Sequence, residues 1–228
     1  RGIIMSENFE ADLKLMRRSN TMYFNDKPVL EYNIEYFNIS NSKTKACRLI
    51  NRRMLIDAIN LEEHIRKRLY PNAVRHYMGV GRDLCSFTYE KNMFCTYNKD
   101  MIVSFFCEST DNTYQNINKR RSSSTYSLKN GQKLSLSSFF KLRVLYKETF
   151  LIFISYYIAD RIISGSDIFF DNWNQLIYEK FKAENFYLTS EGFIFYYQPG
   201  EIAIKSEGVI EFVIPYSAVK DELRLPKI

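Results

Sequence analysis

From Val29 to Ile39 the chain alternates, with Leu30, Tyr32, Ile34 and Tyr36 on one side and Glu31, Asn33 and Glu35 on the other. A period of two marks a strand with one buried face. Beyond Ile39 the period changes. Cys47, Ile50, Met54, Ala58, Leu61, Ile65 and Leu69 recur every three or four residues. That is the stripe of a helix facing a core, with Arg48, Arg52, Arg66 and Lys67 turned away from it. Asn41 or Ser42 stands where a helix cap belongs, and Pro71 predicts the helix end.

Three short apolar runs follow, Leu84–Tyr89, Met93–Tyr97 and Met101–Cys107, separated by Glu90-Lys91-Asn92 and Asn98-Lys99-Asp100. Those separators have turn composition, so the runs read as a meander. Residues 109–123 are polar and partly serine-rich and read as a long loop, the kind that is often functional. Thr125–Leu128 and Lys133–Leu136 flank Asn130-Gly131, a strong hairpin signal. Phe140–Ile163 is apolar at helical spacing and predicts a largely buried helix. Asp171 is placed to cap a shorter helix through Lys182, with Trp173, Leu176, Ile177 and Phe181 inward.

Two strands close the chain. Phe193–Tyr197 follows a turn at Ser190-Glu191-Gly192, and Val209–Pro215 is ended by its proline. The order predicts an α+β fold: an antiparallel meander carrying a long N-terminal helix, then two helices and a final strand pair. The predicted division is a polar, weakly patterned peripheral segment over 1–26, an α+β domain over 27–140 and a second over 141–228.

Composition adjusts this picture only slightly. Among 228 residues, 46% are hydrophobic and 25% charged, as in ordinary globular proteins. Aromatics reach 16%, with 17 Tyr and 18 Phe against one Trp, which favours sheets. The formal charge is +6, concentrated in places. Residues 43–69 hold eight Lys or Arg against Asp57, Glu62 and Glu63. A basic surface suits anionic partners. No nucleic acid is expected, because no RNP, zinc-finger or helix-turn-helix signature accompanies the charge. No stretch approaches the ~20 apolar residues of a membrane-spanning helix.

The chemistry-bearing residues are scattered. Cys47, Cys85, Cys95 and Cys107 lie more than four residues apart, and His64 and His76 are isolated, so no metal spacing is present and no cofactor is expected. The cysteines read as small buried hydrophobes, or as a cross-strand disulfide among Cys85, Cys95 and Cys107 in an oxidising compartment. Glu62-Glu63 beside Arg66 and Lys67 reads as helix-surface pairing. With eight glycines there is no phosphate loop. No catalytic constellation is visible, and a cell-wall-modifying hydrolase is the residual enzymatic alternative.

Four segments carry a resemblance. They are Glu31–Phe37 with Ile50-Asn51, Ser124–Leu128 with Asn130–Phe140, the Asn185-Phe186-Tyr187-Leu188-Thr189 strand, and Ile214-Pro215-Tyr216-Ser217. Together they resemble a bacterial extracytoplasmic domain of unknown function. It occurs in the ectodomain of RsiV, a lysozyme-sensing anti-sigma factor, and beside the catalytic domain of the peptidoglycan deacetylase PdaC. The resemblance implies an envelope protein outside the cytoplasm, as a lipoprotein or membrane-anchored chain. The anchor would lie ahead of Arg1, and the ligand would be cell-wall glycan or a protein. A structural accessory domain for a neighbouring enzyme or anchored partner is the alternative.

Two places depart from that family. Its Gly-Gly-Ala-His segment is replaced within Asp111–Arg121, and its Ile-Ala-Pro-Tyr-Ala-x-Gly segment becomes Ile202-Ala203-Ile204-Lys205-Ser206-Glu207-Gly208. Lysozyme binding is therefore not implied here. Loops carry binding determinants, so the expected contact residues are Tyr114, Lys119, Arg120 and Arg121 in the first and Pro199, Glu201, Ile204 and Lys205 in the second. An aromatic group with three cations suits acidic or glycan-bearing ligands.

Overall fold

The computed structural model describes residues 10–41, 43–80, 87–113 and 116–224. The chain divides into two compact units. One comprises Ala11–Phe94 and Cys107–Arg120, and the other comprises Cys95–Phe106 and the chain from Arg121 on. The predicted α+β architecture is present, as a six-stranded sheet, a long helical segment, two further helices and a three-stranded sheet.

The first unit begins with β1 (Leu13–Phe24) and β2 (Lys27–Ile39), paired antiparallel from Leu13↔Ile39 to Phe24↔Lys27. Asn25 and Asp26 both have positive φ, as a two-residue hairpin turn of matching twist requires. Residues 13–24 are thus an edge strand, although their sequence reads as peripheral. Their side chains are mostly exposed or half-buried, so no hydrophobic period betrays the strand.

Helix α1 (Lys45–His64) buries Cys47, Ile50, Met54 and Ala58 as the stripe predicts. Its cap is Thr44, whose hydroxyl accepts from Cys47 N at 3.2 Å. Asn41 lies outside the helix, and Ser42 lies outside the described residues. The helix does not end at Pro71. A π turn over Ile65–Leu69 leads into α2 (Tyr70–Val80). Proline lacks an N–H and crowds the carbonyl four residues back. The wider turn just ahead changes the hydrogen-bond register, and Pro71 sits in the first turn of α2, where a missing donor is tolerated. Leu30, Tyr32 and Ile34 of β2 pack with Ala58, Ile65, Ala73 and Phe87.

The crossover delivers β3 (Phe87–Lys99), parallel to β2 with Leu30↔Phe87 through Ile34↔Lys91. Residues 87–99 are one strand. Glu90-Lys91-Asn92 has turn composition, yet pairing with Asn33 and Ile34 holds Glu90 and Lys91 extended. The turn comes at Asp100-Met101, both at positive φ, before β4 (Ile102–Thr113). β5 (Asn116–Ser127) and β6 (Lys133–Leu134) complete the order β1-β2-β3-β4-β5-β6. Most of the expected loop over 109–123 is therefore strand. The Asn130-Gly131 hairpin is present, with Gly131 at φ 74° and Thr125↔Leu134 in register.

In the second unit β7 (Phe186–Leu188), β8 (Gly192–Tyr197) and β9 (Ile210–Pro215) form an antiparallel sheet. Every residue of β8 is buried, as its unbroken apolar run requires. Helix α3 (Tyr146–Ile163) buries Phe150, Leu151, Ile154 and Ile158. It starts later than the apolar run suggests. Phe140 is held in a bridge with Leu223, and Arg143 at φ 71° breaks the helical path. Helix α4 (Trp173–Glu179) follows Asn172, which gives no side-chain cap, so Asp171 is not the cap. Phe139, Phe140, Phe150, Phe193 and Phe195 form one aromatic core, with Phe181 stacked on Phe195 at 4.5 Å. Each such buried ring contributes ~1.5–3 kcal/mol of transfer free energy.

Candidate functional site

The expected contact residues meet different fates. Tyr114 lies outside the described residues. Lys119 and Arg120 are exposed on β5 in the first unit. Arg121, in the second, is half-buried. Its guanidinium pairs with Glu211 and lies 4.5 Å from the Phe106 ring centre and 5.9 Å from that of Tyr196. Tyr187 donates its hydroxyl to the same Glu211 carboxylate.

Part of the second loop is joined to Arg121 through its backbone. The Gln198 amide accepts from Arg121 N at 3.0 Å and donates to Arg121 O at 2.7 Å. Glu201 folds back, accepting from Gln198 N at 2.8 Å and from Lys182 Nζ at 2.9 Å. Pro199 is half-buried, while Ile204 and Lys205 are exposed. Arg121 and Glu201 are thus engaged within the fold, leaving Lys119, Arg120, Ile204 and Lys205 presented to solvent.

The first unit holds a cleft that the loop-centred reading misses. It measures about 290 Å³ and is lined by Ser19, Asn20, Thr21, Glu31, Tyr32, Asn33, Thr88, Tyr89 and Glu90. Strand register builds it. Thr21↔Glu31↔Thr88 and Ser19↔Asn33↔Glu90 form two rows across β1, β2 and β3, and paired residues share a sheet face. That face alternates with the Leu30–Tyr32–Ile34 face that packs on the helix. One row further along, the Glu35 carboxylate is buried and accepts from Arg17 Nε at 3.0 Å and Met93 N at 3.2 Å.

The β2 floor is fixed from behind. Tyr32 donates to Glu62 Oε1 at 2.6 Å, Arg66 reaches the same oxygen at 2.9 Å, and Arg18 takes Glu62 Oε2 at 2.5 Å. The Tyr32 hydrogen bond, with Arg18 and Arg66, holds the Glu62 carboxyl below its ordinary range against the opposing pull of burial. Burial pushes the Tyr32 and Tyr89 phenols up, so both stay protonated donors. The face of the two rows offers two carboxylates, one amide and three aliphatic hydroxyls, and the lining contains no lysine or arginine. Such a set accepts and donates hydrogen bonds to hydroxyl-rich neutral molecules, or to an amine, and repels anions. The sequence carried a usable signal in the polar face Glu31, Asn33, Glu35 of β2. It lacked the partners, because β1 has no period to read.

Among the described residues no group of three His, Cys, Asp or Glu could hold a metal ion. Cys47 and Cys95 are free thiols, Cys107 is buried, and Cys85 lies outside the described residues. Burial pushes the Cys95 thiol up to about 11, which leaves it a poor nucleophile at neutral pH. His64 is exposed on α1, and the His76 ring lies 5.5 Å from that of Phe87. No helix among the described residues is long and apolar enough to cross a membrane.

Residues 138–217 match the sequence profile of a family described as "Protein of unknown function (DUF3298)". No curated protein sequence matches the chain. Two crystal structures share its fold. A member of the DUF3298 family from Bacteroides fragilis is 14% identical with a TM-score of 0.59, covering 96% of each chain. A DUF3298 family protein from Pseudomonas aeruginosa is 11% identical with a TM-score of 0.60, covering 96% of this chain and 97% of that one. At such identities the likeness is one of fold.

Proposed function

We propose that this chain is a non-catalytic recognition module of the bacterial cell envelope that takes a hydroxyl-rich cell-wall fragment in the cleft of β1, β2 and β3. The cleft's composition carries the reading. Glu31 and Glu90 accept from ligand hydroxyls, Asn33 can do both, and Ser19, Thr21 and Thr88 adapt to either role. At about 290 Å³ the space lies at the small end of ligand sites, suited to a terminal sugar rather than a long strand. The absence of a cation from the lining turns the reading away from the acidic polymers that net charge alone suggests.

The resemblance to RsiV and PdaC ectodomains supports a place outside the cytoplasm, tethered to membrane or lipid. The match of residues 138–217 to DUF3298 is compatible with it. The test is titration of the purified chain with soluble peptidoglycan fragments, followed by calorimetry or amide shifts. Binding should be weakened at least about tenfold by E31Q with E90Q, a loss of ~1.4 kcal/mol. Absence of binding, or binding indifferent to both changes, would remove the cleft from the account.

A further inference from the structure

Helix α3 has a second apolar face. Its buried face carries Phe150, Leu151, Ile154 and Ile158. On the opposite side Leu145, Ile152, Tyr156 and Ile163 are 69%, 68%, 72% and 86% exposed. Their spacings of seven, four and seven keep them on one line of the helix, with Thr149 and Ala159 filling the intervening three- and four-residue steps. A sustained alternation of three and four is the seam along which two helices pack. Helices apolar on both faces are normally covered on both.

We infer that this seam is the interface of a homodimer, in which α3 of one copy packs antiparallel against α3 of a second. The occupant follows from three features. The first is area. An aromatic side chain buries ~150–250 Å², and Tyr156 stands with four aliphatic side chains, Leu142, Leu145, Ile152 and Ile163, all exposed by two thirds or more, a substantial part of the ~800 Å² each partner contributes to a standard interface. The second is self-complementarity. A two-fold axis near residue 154 sets Ile152 against Tyr156 of the second copy and Leu145 against Ile163. The smaller Thr149 then meets Ala159.

The third feature is charge. A helix lying on an anionic lipid surface brings lysines and arginines to the flanks of its apolar face. Here the charges beside it are Glu148 and Asp160 on its flanks and Glu222, whose carboxylate accepts from Thr149 Oγ1 at 3.2 Å. The two cations, Lys147 and Arg161, lie over the rings of Phe181 and Phe212 at 5.3 and 5.8 Å. A lipid surface is therefore disfavoured. In the antiparallel pair Glu148 of one copy comes level with Asp160 of the other, the two acids lying on opposite flanks of the seam.

Sedimentation velocity from low to high micromolar chain should show a monomer–dimer equilibrium. I152D with Y156D should weaken it at least about tenfold, with far-UV circular dichroism unchanged because both side chains are exposed. Oxidative cross-linking should be faster in a mixture of I152C and Y156C chains than for either alone, since the antiparallel register sets those positions together. A monomer at every concentration, a dimer indifferent to the two aspartates, or vesicle binding without self-association would each overturn the inference.

Discussion

The Ser104 hydroxyl accepts a hydrogen bond from the buried Leu188 amide at 3.0 Å, tying β4 to β7 within the second unit. The same oxygen lies 2.7 Å from Thr125 Oγ1 of β5, and both hydroxyl residues are buried. One hydroxyl thus joins three strands where water does not reach. Ser104→Ala leaves the Leu188 N–H without that partner, and an unsatisfied buried donor costs ~1–3 kcal/mol. Urea denaturation should show a loss of that size with an unchanged m-value. A loss below ~0.5 kcal/mol would mean that the amide finds another acceptor.

Gly192 opens β8 opposite Pro215, and a Cβ built there would lie 2.2 Å from Ile214 O and 2.8 Å from Pro215 Cα. Both neighbours are backbone, so the two strands must separate to admit a methyl group. Gly192→Ala should cost more than ~2 kcal/mol, the range of severe core substitutions, measured by the thermal midpoint. A wild-type midpoint would show that β9 shifts freely.

The Glu62 carboxyl is held below its ordinary range in the folded chain, chiefly by the Tyr32 hydrogen bond. The unfolded chain therefore binds this proton at higher pH than the folded one. Its contribution is complete above the unfolded value and is lost as pH falls through the folded one. Stability should decline on acidification through the lower carboxylate range, and Glu62→Gln should flatten that part of the curve. Chemical denaturation at stepped pH checks this, and an identical slope in the variant would remove Glu62 as the cause.

What the sequence reveals depends on which side chains are buried. The final strands are legible because β8 is buried throughout and β9 alternates buried and half-buried positions. The two resembling C-terminal segments are also in contact, since Tyr216 donates to Thr189 O at 3.0 Å. The α1 stripe is legible for the same reason. β1 and the first half of β5 are held by backbone pairing while their side chains meet solvent, so neither shows a period. Lys91 shows pairing overriding turn composition, and Pro71 shows a local change of helix register overriding a stop signal. The candidate cleft was half-readable. Glu31 and Asn33 stood out as one polar face, but only the register with Ser19, Thr21, Thr88 and Glu90 makes a site of them.

Arg120 and Arg121 are neighbours in sequence with opposite prospects under mutation. Arg121 has a side chain only 9% exposed, paired with a Glu211 carboxylate that is 37% exposed. Removing one partner of a fully buried pair costs ~3–5 kcal/mol because a charge is left uncompensated. Glu211 keeps some solvent and the Tyr187 hydroxyl, so Arg121→Ala should cost about 2 kcal/mol, between that range and the small worth of a surface pair. Arg120→Ala and Lys205→Ala remove exposed side chains and should stay within ~0.5 kcal/mol of wild type. If the cleft is the site, fragment binding should survive both exposed changes and fall with Glu31→Gln. Equal loss of stability in Arg120→Ala and Arg121→Ala would contradict this division. Loss of binding in Arg120→Ala without loss of stability would return the ligand site to the β4–β5 hairpin.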